Sequence, residues 1–543
     1  MSAMIWNKSV EVPTKKRDET LTEFTERLED WYIQRQDLEY RKERGQYFTP
    51  KRIGEFMIGL LDGFKGGRNL KILDPGAGVG IFESLICERL RLCKRKISVS
   101  FDLYENCREI LPLLEINMKS CKKSMAQSGH RISYRIIRRN FILAHSDGSG
   151  NDLEKRWENS ECQYDAVICN PPYYKLRKNS AESAAMASIV KGQTNIYVLF
   201  MAKAARLLKA GGQLVFLTPR SYFSGAYFKE FRKRFFDQIT PLRIHVFGSR
   251  KVFKKDRVLQ EMVILKGFKG QSQTSKVMIS SSHNEPDRTK GLVERTAPYE
   301  NVVVMRGNDV IIRVPITAID DAIGKEIDRL PFTLAKLGLK ASTGPLVPFR
   351  EVEHLLNSTP RNAESAPLIW MENITDGKVI WPLVNSRKAR AVRVLESTKQ
   401  LTIPNSNYVM IKRFSTKEGK RRINAGILLG RWLNVKSLSI ENHVNYIYKI
   451  GGEMTEDEAY GLREILNSNL YNRYFQMSNG STQVDASSIN NIPLPSLNVI
   501  ATIGRLARGA GTNENLAGER LVMTTLGISP VVIDRLLEND CSS

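Results

Sequence analysis

Along the first half of the chain, short apolar runs alternate with segments in which apolar residues recur at helical spacing. The runs have the length of buried strands, and two of them end in glycine- or proline-rich loops. This alternation predicts an α/β fold with a doubly wound parallel sheet, whose ligands lie at the carboxyl ends of the strands. We assign five strands and a closing hairpin, within KILDP, ISVSFDLYEN, ISYRIIRRNFI, YDAVICNPPYY and QLVFLTP, then LRIHVFG with VLQEMVILKGF.

The same pattern divides the chain into four predicted regions. Before residue 45, Leu21, Phe24, Leu28 and Tyr32 recur at helical spacing, which predicts a charged helix. After about residue 270, short strands, polar turns and basic runs replace the strand–helix alternation, and the last segment is helical again. We therefore predict a helical extension, an α/β domain, a mixed α+β domain and a helical tail, over residues 1–44, 45–270, 271–500 and 501–543.

The charge balance indicates the class of partner. The 543 residues include 82 Lys and Arg against 58 Asp and Glu, a net charge of +24. This excess predicts binding to a polyanion, with nucleic acid as the first candidate. A membrane surface is the alternative, but no apolar run approaches the roughly 20 residues of a membrane-spanning helix. The amino-terminal segment also lacks the apolar stretch of a signal peptide, so we expect a soluble protein of the cytoplasm.

The seven cysteines form no metal-binding motif. Six of them lie between Cys87 and Cys169, none belongs to a CxxC pair, and no cluster of histidines accompanies them. This pattern argues against structural zinc and disulfides. We expect reduced, mostly buried thiols and no bound metal.

The loop DPGAGVG, residues 74–80, follows a predicted strand and opens a helix. Its glycines let the backbone approach a ligand, and a helix start favours negative charge. No GK[ST] follows, which excludes a P-loop, whereas a nicotinamide enzyme or another nucleotide-binding module would share the pattern. Glu105, at the end of the next strand, can accept hydrogen bonds from ribose hydroxyls, although a solvated loop charge is the alternative.

The stretch NPPY, residues 170–173, stands where the fourth strand ends. The side-chain oxygen of Asn170 and the carbonyl of Pro171 can accept both hydrogens of an exocyclic amino group, and Tyr173 offers a face to a flat base. Accepting both hydrogens weakens the conjugation of the nitrogen with its ring and exposes a lone pair. If such an amine takes a methyl group from a sulfonium donor, the leaving group is a neutral sulfide. That reaction requires no metal and no strong base, so positioning of the amine and acceptors for its hydrogens suffice. The alternative is an ordinary proline turn.

Together these segments resemble the gamma-class DNA adenine-N6 methyltransferases of restriction–modification systems, which use S-adenosyl-L-methionine. GQYFTP, DPGAGVGIF and NPPY match three motifs of that family in order, within roughly residues 40–270. The resemblance implies a Rossmann-like catalytic domain and a carboxy-terminal target-recognition domain that binds double-stranded DNA. It assigns catalysis to Asn170, Pro171, Pro172 and Tyr173, and the cofactor to Tyr47, Thr49, Pro50, Asp74, Gly76, Ala77, Gly78, Glu105, Asn140 and Phe141.

Two features of the resemblance depend on single residues. KVFKKDRVLQEMVILKG resembles the stretch whose phenylalanine stacks on the flipped base, which gives that role to Phe253; Phe247 is its rival because VF occurs twice. Core packing is the alternative for either ring. The family usually has an acid before the adenine-stacking Phe141, where it binds the amino group of the cofactor. Asn140 stands there instead, and its amide oxygen can accept that bond without charge.

The basic second half resembles, more loosely, the target-recognition region of larger members of the family. Residues 409–422, VMIKRFSTKEGKRR, contain six basic residues against one glutamate. A solvated charged turn is the alternative for such a run, but the net charge favours phosphate contact. We assign DNA contact to Lys412, Arg413, Arg421 and Arg422.

These observations predict a site-specific DNA adenine-N6 methyltransferase that flips its target base out of the duplex and protects the DNA of a bacterial or archaeal host. We expect a monomer, with a separate cognate restriction endonuclease as a candidate partner. The rival interpretations are methylation of RNA or of a protein glutamine, and a non-catalytic DNA-binding protein with the same fold.

Overall fold

The computed structural model divides the chain into two compact units, Met1–Ile316 and Thr317–Ser543. It describes residues 12–62, 69–144, 163–177, 179–189, 192, 194–248, 261–270, 275–286, 291–360, 364–415, 421–479, 483–509 and 515–541. The boundary predicted at residue 270 therefore lies inside the first unit. Two strands that follow residue 270 belong to the main sheet of the first unit. The hydrophobic pattern changes at residue 270, so the sequence did not indicate that this sheet continues.

Among the described residues, nine strands form the main sheet of the first unit: β1 (Asn69–Asp74), β2 (Ser98–Tyr104), β3 (Arg131–Ile137), β4 (Tyr164–Cys169), β5 (Leu208–Pro219), β6 (Ile239–Phe247), β7 (Met262–Lys269), β8 (Lys276–Ser282) and β9 (Val293–Pro298). Their order is β3-β2-β1-β4-β5-β7-β6-β8-β9. Strands β1 to β5 run parallel, as predicted. The predicted hairpin is confirmed too, with β7 antiparallel between β5 and β6.

Helices flank this sheet: α1 (Leu21–Ile33), α2 (Leu38–Glu43), α3 (Lys51–Leu60), α4 (Ile81–Arg91), α5 (Leu111–Gln127), α6 (Ala181–Ala185), α7 (Ile196–Leu207), α8 (Lys229–Gln238) and α9 (Tyr299–Val302). Helices α3, α4 and α5 pack in succession, whereas α7 packs against α8. A ribbon of β10 (Val303–Arg306) and β11 (Asp309–Ile312) completes the unit. The parallel strands with intervening helices form a Rossmann-like fold.

The predicted amino-terminal helix is α1, and it belongs to the body of the first unit. Thr20 and Glu23 form a reciprocal capping box at its start. Leu21, Phe24 and Leu28 are at most 1% exposed, because the helix packs on α4 and α5. The region 1–44 is therefore not a separate extension over its described part.

The second unit contains two sheets. The six-stranded sheet has the order β12-β22-β19-β20-β16-β15, and the five-stranded sheet β13-β17-β14-β21-β18. The strands are β12 (Leu339–Thr343), β13 (Leu355–Leu356), β14 (Ser365–Ile369), β15 (Ile374–Thr375), β16 (Lys378–Val379), β17 (Ala391–Arg393), β18 (Thr402–Pro404), β19 (Tyr408–Lys412), β20 (Ala425–Leu428), β21 (Ser437–Ile440) and β22 (Val444–Lys449).

The helices in the described part of the second unit are α10 (Ala318–Asp328), α11 (Glu456–Asn467), α12 (Asn469–Ser478), α13 (Ala486–Asn490), α14 (Leu497–Gly509), α15 (Asn515–Thr525) and α16 (Pro530–Cys541). Gly461 of α11 and Gly504 of α14 bring these two helices together, since a Cβ on either would lie within 2 Å of a carbonyl oxygen of the other helix. The predicted tail boundary at 500 falls inside α14, whose Ile500 and Ile503 belong to the core of the unit.

No helix in the described part of the chain is long and apolar enough to cross a membrane.

Candidate functional site

A cavity of about 920 Å³ in the first unit adjoins the carboxyl ends of four parallel strands. Residues 75–79 after β1, Glu105 after β2, Phe141 after β3 and Asn170 after β4 all line it. Parallel strands bring their carboxyl ends to one edge of a sheet, which is where such a fold binds its ligands. The structure thus brings together most of the residues assigned from the sequence, namely Tyr47, Thr49, Gly76, Ala77, Gly78, Glu105, Asn140, Phe141, Asn170 and Pro172.

The glycine loop between β1 and α4 is shaped by two carboxylates. An oxygen of Asp74 accepts a hydrogen bond from the N–H of Gly76 at 3.0 Å, and an oxygen of Glu105 accepts one from Gly78 at 3.1 Å. The loop ends at Gly80, whose φ of +91° favours glycine and where a Cβ would lie 2.8 Å from Nδ2 of Asn117. The loop backbone is therefore fixed before any ligand arrives.

Asp74 supports the loop from behind and does not line the cavity. Its side chain is fully buried, and the lining of the cavity starts at the next residue. Burial, together with the nearby charge of Glu105, raises the pKa of Asp74 to about 7. Its predicted contact with a cofactor is accordingly corrected to an indirect role through the backbone of Gly76.

Glu105 combines structural hydrogen bonds with an open position on the cavity wall. Besides Gly78, its carboxylate accepts a hydrogen bond from the N–H of Cys107 at 2.7 Å. Burial raises the pKa of Glu105 to about 7. The N–H of Asn106 also bonds to this carboxylate. A carboxylate has about four acceptor positions, so one remains for a hydroxyl group of a ligand.

The turn after β3 uses Asn140 differently from the prediction. The side-chain oxygen of Asn140 accepts hydrogen bonds from the N–H groups of Ile142 (2.9 Å) and Leu143 (3.4 Å). Its Nδ2 donates to a carboxylate oxygen of Glu182 at 2.9 Å. The amide oxygen that the sequence analysis offered to the cofactor is thus engaged by the turn itself. The next residue, Phe141, lines the cavity as predicted.

Lys203 holds the same turn and was missed by the sequence analysis. Its ammonium group, on α7, donates to the carbonyls of Phe141 (2.6 Å), Ile142 (2.9 Å) and Ala144 (2.6 Å). The residue is 2% exposed, and burial lowers the pKa of Lys203 to about 7. A single lysine inside the apolar run YVLFMAKAARLL was the available signal, because lysine is seldom buried without partners. Glu182 gave no comparable signal.

Two hydrogen bonds from Nδ2 fix the orientation of the Asn170 side-chain amide. Its Nδ2 donates to the carbonyl of Tyr47 at 2.7 Å and to the hydroxyl of Thr49 at 3.0 Å. Both hydrogens of the amide are therefore used, and Oδ1 is the end that can accept. The hydroxyl of Tyr173 lies within hydrogen-bonding distance of Oδ1 and of the carbonyl of Leu217, the latter at 2.7 Å. Since an amide oxygen accepts two hydrogen bonds, Oδ1 keeps a free acceptor position even when the Tyr173 hydroxyl donates to it.

The segment GQYFTP packs directly on the NPPY stretch. Gly45 has a φ of +61°, and a Cβ there would lie 2.5 Å from the backbone nitrogen of Tyr173, so only glycine fits. Pro50 precedes α3, and its carbonyl accepts hydrogen bonds from the N–H groups of Ile53 and Gly54. The hydroxyl of Thr49 is thereby left for Asn170.

Tyr173 does not face the cavity in this structure. It is 5% exposed, and its ring stacks on that of Tyr47 at a centroid distance of 5.8 Å and an interplanar angle of 16°. A third ring between them would require about 7 Å, twice the usual carbon–carbon contact distance. Pro171 is also buried, whereas Pro172 and Tyr174 line the cavity. Stacking of a base on Tyr173 therefore requires the Tyr47 ring to move.

Of the two phenylalanines that could stack on the face of a base opposite Tyr173, only Phe247 lies in the described part of the chain. Phe247, the last residue of β6, is 5% exposed, packs edge-on against His245 and belongs to the core. Its structural role is core packing. Phe253, the primary assignment, lies outside the described residues.

The four basic residues assigned to DNA contact differ in their exposure and in their partners. Lys412, the last residue of β19, and Arg413 are partly exposed, although Arg413 also donates to the carbonyl of Asn442 at 2.9 Å. Arg421 lies 3.5 Å from the buried carboxylate of Glu519. Arg422 is 8% exposed. Arg422 therefore serves the fold, and its assignment to DNA contact is corrected, whereas Arg421 is partly exposed and its assignment stays a prediction; residues 416–420 are outside the described part.

Comparisons with known proteins agree with this geometry. The family model "Eco57I restriction-modification methylase" matches residues 88–253. The type II methyltransferase M.PstI of Providencia stuartii is 33% identical over 84% of this chain and 87% of its own length. The type II methyltransferase M.BsuBI of Bacillus subtilis is 31% identical over 86% of this chain and 91% of its own length.

One solved structure resembles nearly the whole chain. The type IIL restriction–modification enzyme MmeI, solved in complex with DNA, matches with a TM-score of 0.55 and 13% identity, over 96% of this chain and 77% of that one. At this identity the match concerns the fold alone.

Proposed function

The chain belongs to the type II methyltransferases of restriction–modification systems, and we propose that it methylates N6 of adenine at a specific site in double-stranded DNA. The family supports site-specific methylation of DNA. The choice of adenine rests on the clamp of Asn170, whose amide presents an acceptor to an exocyclic amino group. The gamma-class resemblance of NPPY points to the same base.

The cavity at the strand ends fits S-adenosyl-L-methionine. The glycine loop and the carboxylate of Glu105 offer acceptors and close backbone approach to a ribose, and Phe141 offers an apolar wall to an adenine ring. Thr49 and Asn170 stand at the other end of the same cavity. When bound, the cofactor supplies an electrophilic methyl group on a positively charged sulfur.

The residues of the NPPY stretch activate the target amine by accepting its hydrogens. Asn170 Oδ1 and the carbonyl of Pro171 would each take one hydrogen bond, which reduces the conjugation of the nitrogen with the base and turns its lone pair toward the methyl group. Preorganised acceptors of this kind typically contribute about 10²- to 10³-fold to a rate. The two hydrogen bonds that restrain the Asn170 amide make the arrangement rigid before the substrate binds.

The target base must leave the duplex to reach these acceptors. We propose that it stacks on Tyr173 after the ring of Tyr47 moves aside, because Tyr47 covers that face here. Phe253 remains the proposed partner on the opposite side of the base. Pro172 lines the cavity and keeps the backbone of the stretch extended.

We further propose that the second unit recognises the DNA sequence, with Lys412 and Arg413 contacting phosphates. The net charge of +24 supports this role. The enzyme would act as a monomer in the cytoplasm, where its substrate lies, and a separate cognate endonuclease would cleave unmodified DNA.

Methyl transfer by the purified protein tests the function. The chain is incubated with S-adenosylmethionine and plasmid DNA, RNA or protein, and the DNA is then digested to nucleosides and analysed by mass spectrometry. We expect N6-methyladenine in DNA alone. N4-methylcytosine would contradict the choice of base, and label in RNA or protein alone would contradict the choice of DNA.

A further inference from the structure

The side chain of Asn140 cannot provide the acceptor that a cofactor adenine requires. An amide oxygen accepts two hydrogen bonds, and that of Asn140 already receives the N–H groups of Ile142 and Leu143. These two donors also fix which end of the amide is the oxygen. What Asn140 turns outward is its NH₂ group, which is a donor like the adenine amine itself.

A carboxylate lies directly beyond that NH₂ group. Oε1 of Glu182 accepts from Nδ2 of Asn140 at 2.9 Å, and Glu182 lines the same cavity as Phe141. Ser180 caps the short helix that carries Glu182 by accepting from the N–H of Ser183 at 3.2 Å. Since a carboxylate has about four acceptor positions, the bond to Asn140 leaves capacity for a ligand.

The surrounding turn is built rigidly enough to place this carboxylate. The carbonyl of Asn140 accepts from the N–H of Ala144 at 2.8 Å. Lys203 ties the carbonyls of Phe141, Ile142 and Ala144 together from below. Phe141 in turn packs between Tyr104 and Phe200, at ring distances of 5.0 and 5.2 Å. An adenine against Phe141 would have its edge next to the pair of Asn140 and Glu182.

We propose that Glu182 accepts the hydrogen bond from the exocyclic amino group of the cofactor's adenine, with Asn140 as the residue that positions it. The inference rests on the proposed use of S-adenosylmethionine. The acidic function that the sequence lacks at residue 140 is then supplied from helix α6, forty-two residues later along the chain.

Binding of two product analogues tests this assignment without methyl transfer. Calorimetry measures the affinity for S-adenosylhomocysteine and for S-inosylhomocysteine, in which an oxo group replaces the amine. The wild-type chain should prefer the adenine compound by about 10-fold or more, because a hydrogen bond to a charged acceptor is gained and a clash of two acceptors is avoided. Glu182→Ala should reduce this preference to about twofold or less.

Two further variants should change the preference between the adenine and inosine compounds in opposite directions. In Glu182→Gln, the amide oxygen keeps the bond to Asn140 and the amide NH₂ faces the ligand, so the preference should shift toward the inosine compound. The double variant Asn140→Asp with Glu182→Ala should restore the preference for adenine, because one aspartate oxygen caps the turn and the other remains for the amine. Glu55→Ala, an exposed glutamate of α3 outside the cavity, is the matched control.

The outcomes separate the inference from the proposed function. If the wild-type chain binds S-adenosylhomocysteine but Glu182→Ala keeps the full preference for adenine, the role of Glu182 is wrong and the cofactor assignment stands. If the wild-type chain binds neither compound, the proposed use of S-adenosylmethionine fails, and the inference fails with it. A melting temperature for each variant shows that it is folded.

Discussion

The cavity of the first unit and the basic segment 409–422 of the second unit hold their polar side chains in opposite ways. In the cavity, the side chains of Glu105, Asn140 and Asn170, which follow strand ends, are each fixed by hydrogen bonds with backbone groups. In the basic segment, Lys412, Arg413 and Arg421 are partly exposed, and Arg421 also lies near the carboxylate of Glu519, whereas Arg422 is buried. Residues of one type and one neighbourhood therefore have different roles in the second unit.

The difference teaches where sequence spacing is informative. A short polar side chain after a parallel strand has its position set by the strand, so its spacing predicts its place. A long basic side chain has four rotatable bonds or more, and its partner is chosen by the tertiary fold. Four predictions test this contrast. They compare variants of side chains held by hydrogen bonds inside the fold with variants of exposed side chains, by activity, stability or DNA affinity.

The largest effect is expected for Asn170→Ala. Loss of the amide removes the acceptor for the target amine, so kcat should fall by about 10³-fold. The affinity for S-adenosylhomocysteine should change by less than threefold, which calorimetry measures alongside the kinetics. Thr49→Val, which removes one of the two acceptors of the Asn170 amide, should give a smaller loss of about 10-fold. Equal losses in both variants would show that the clamp does not act as described.

Lys203→Met should have the next largest effect, which is a loss of stability of the folded chain. The variant leaves three carbonyls without the ammonium group that now satisfies them. We expect a loss of about 3 kcal/mol in the free energy of unfolding, measured by urea denaturation of the full chain. Lys209→Met, an exposed lysine at the start of β5 that pairs with Asp165, should cost less than about 1 kcal/mol. Similar losses for both lysines would contradict the role given to Lys203.

Glu105→Gln should change how stability depends on pH. Burial raises the pKa of Glu105 to about 7 from the ordinary 4.5, so the folded state favours the protonated carboxyl. This contribution is fully present below pH 4.5 and is lost as the pH rises through about 7. The wild-type chain without cofactor should therefore lose about 2 kcal/mol relative to the variant between pH 5 and pH 8. The free energy of unfolding of both proteins is measured across this pH range. Parallel curves would contradict the role given to the buried Glu105 carboxyl.

The smallest effect concerns the basic residues Lys412 and Arg421. Lys412→Ala should weaken DNA binding several-fold and reduce the slope of log affinity against log salt by about 0.9, as for one phosphate contact. Arg421→Ala should leave that slope unchanged and lower the melting temperature, since its partner is Glu519. Fluorescence anisotropy at several salt concentrations measures both slopes. A reduced slope for Arg421→Ala would show that Arg421 contacts a phosphate as well.

The sequence predicted the parts of the fold and site that depend on local pattern. The five parallel strands, the hairpin and the position of the glycine loop follow from hydrophobic runs and from glycines that only a tight turn requires. The clustering of Glu105 and Asn170 follows from the strand ends that carry them. These features need no knowledge of distant contacts.

The remaining features depend on contacts between distant segments. The carboxylate of Glu182 reaches Asn140, and Lys203 reaches the turn after Phe141, only because the fold brings these segments together. The domain boundary was misplaced because β8 and β9 join the first sheet although the rhythm of strands and helices has ended. Tyr173 was expected to face the ligand, and the ring of Tyr47 covers it.

Adenine modification inside a cell tests the central claim most directly. The wild-type chain and Asn170→Ala are each expressed in a host that lacks adenine methylation, and the host DNA is sequenced by a long-read method that detects modified bases. We predict N6-methyladenine at one short sequence motif in the wild-type sample and none above background with the variant. Unmodified adenine in both samples, or equal modification in both, would contradict the account.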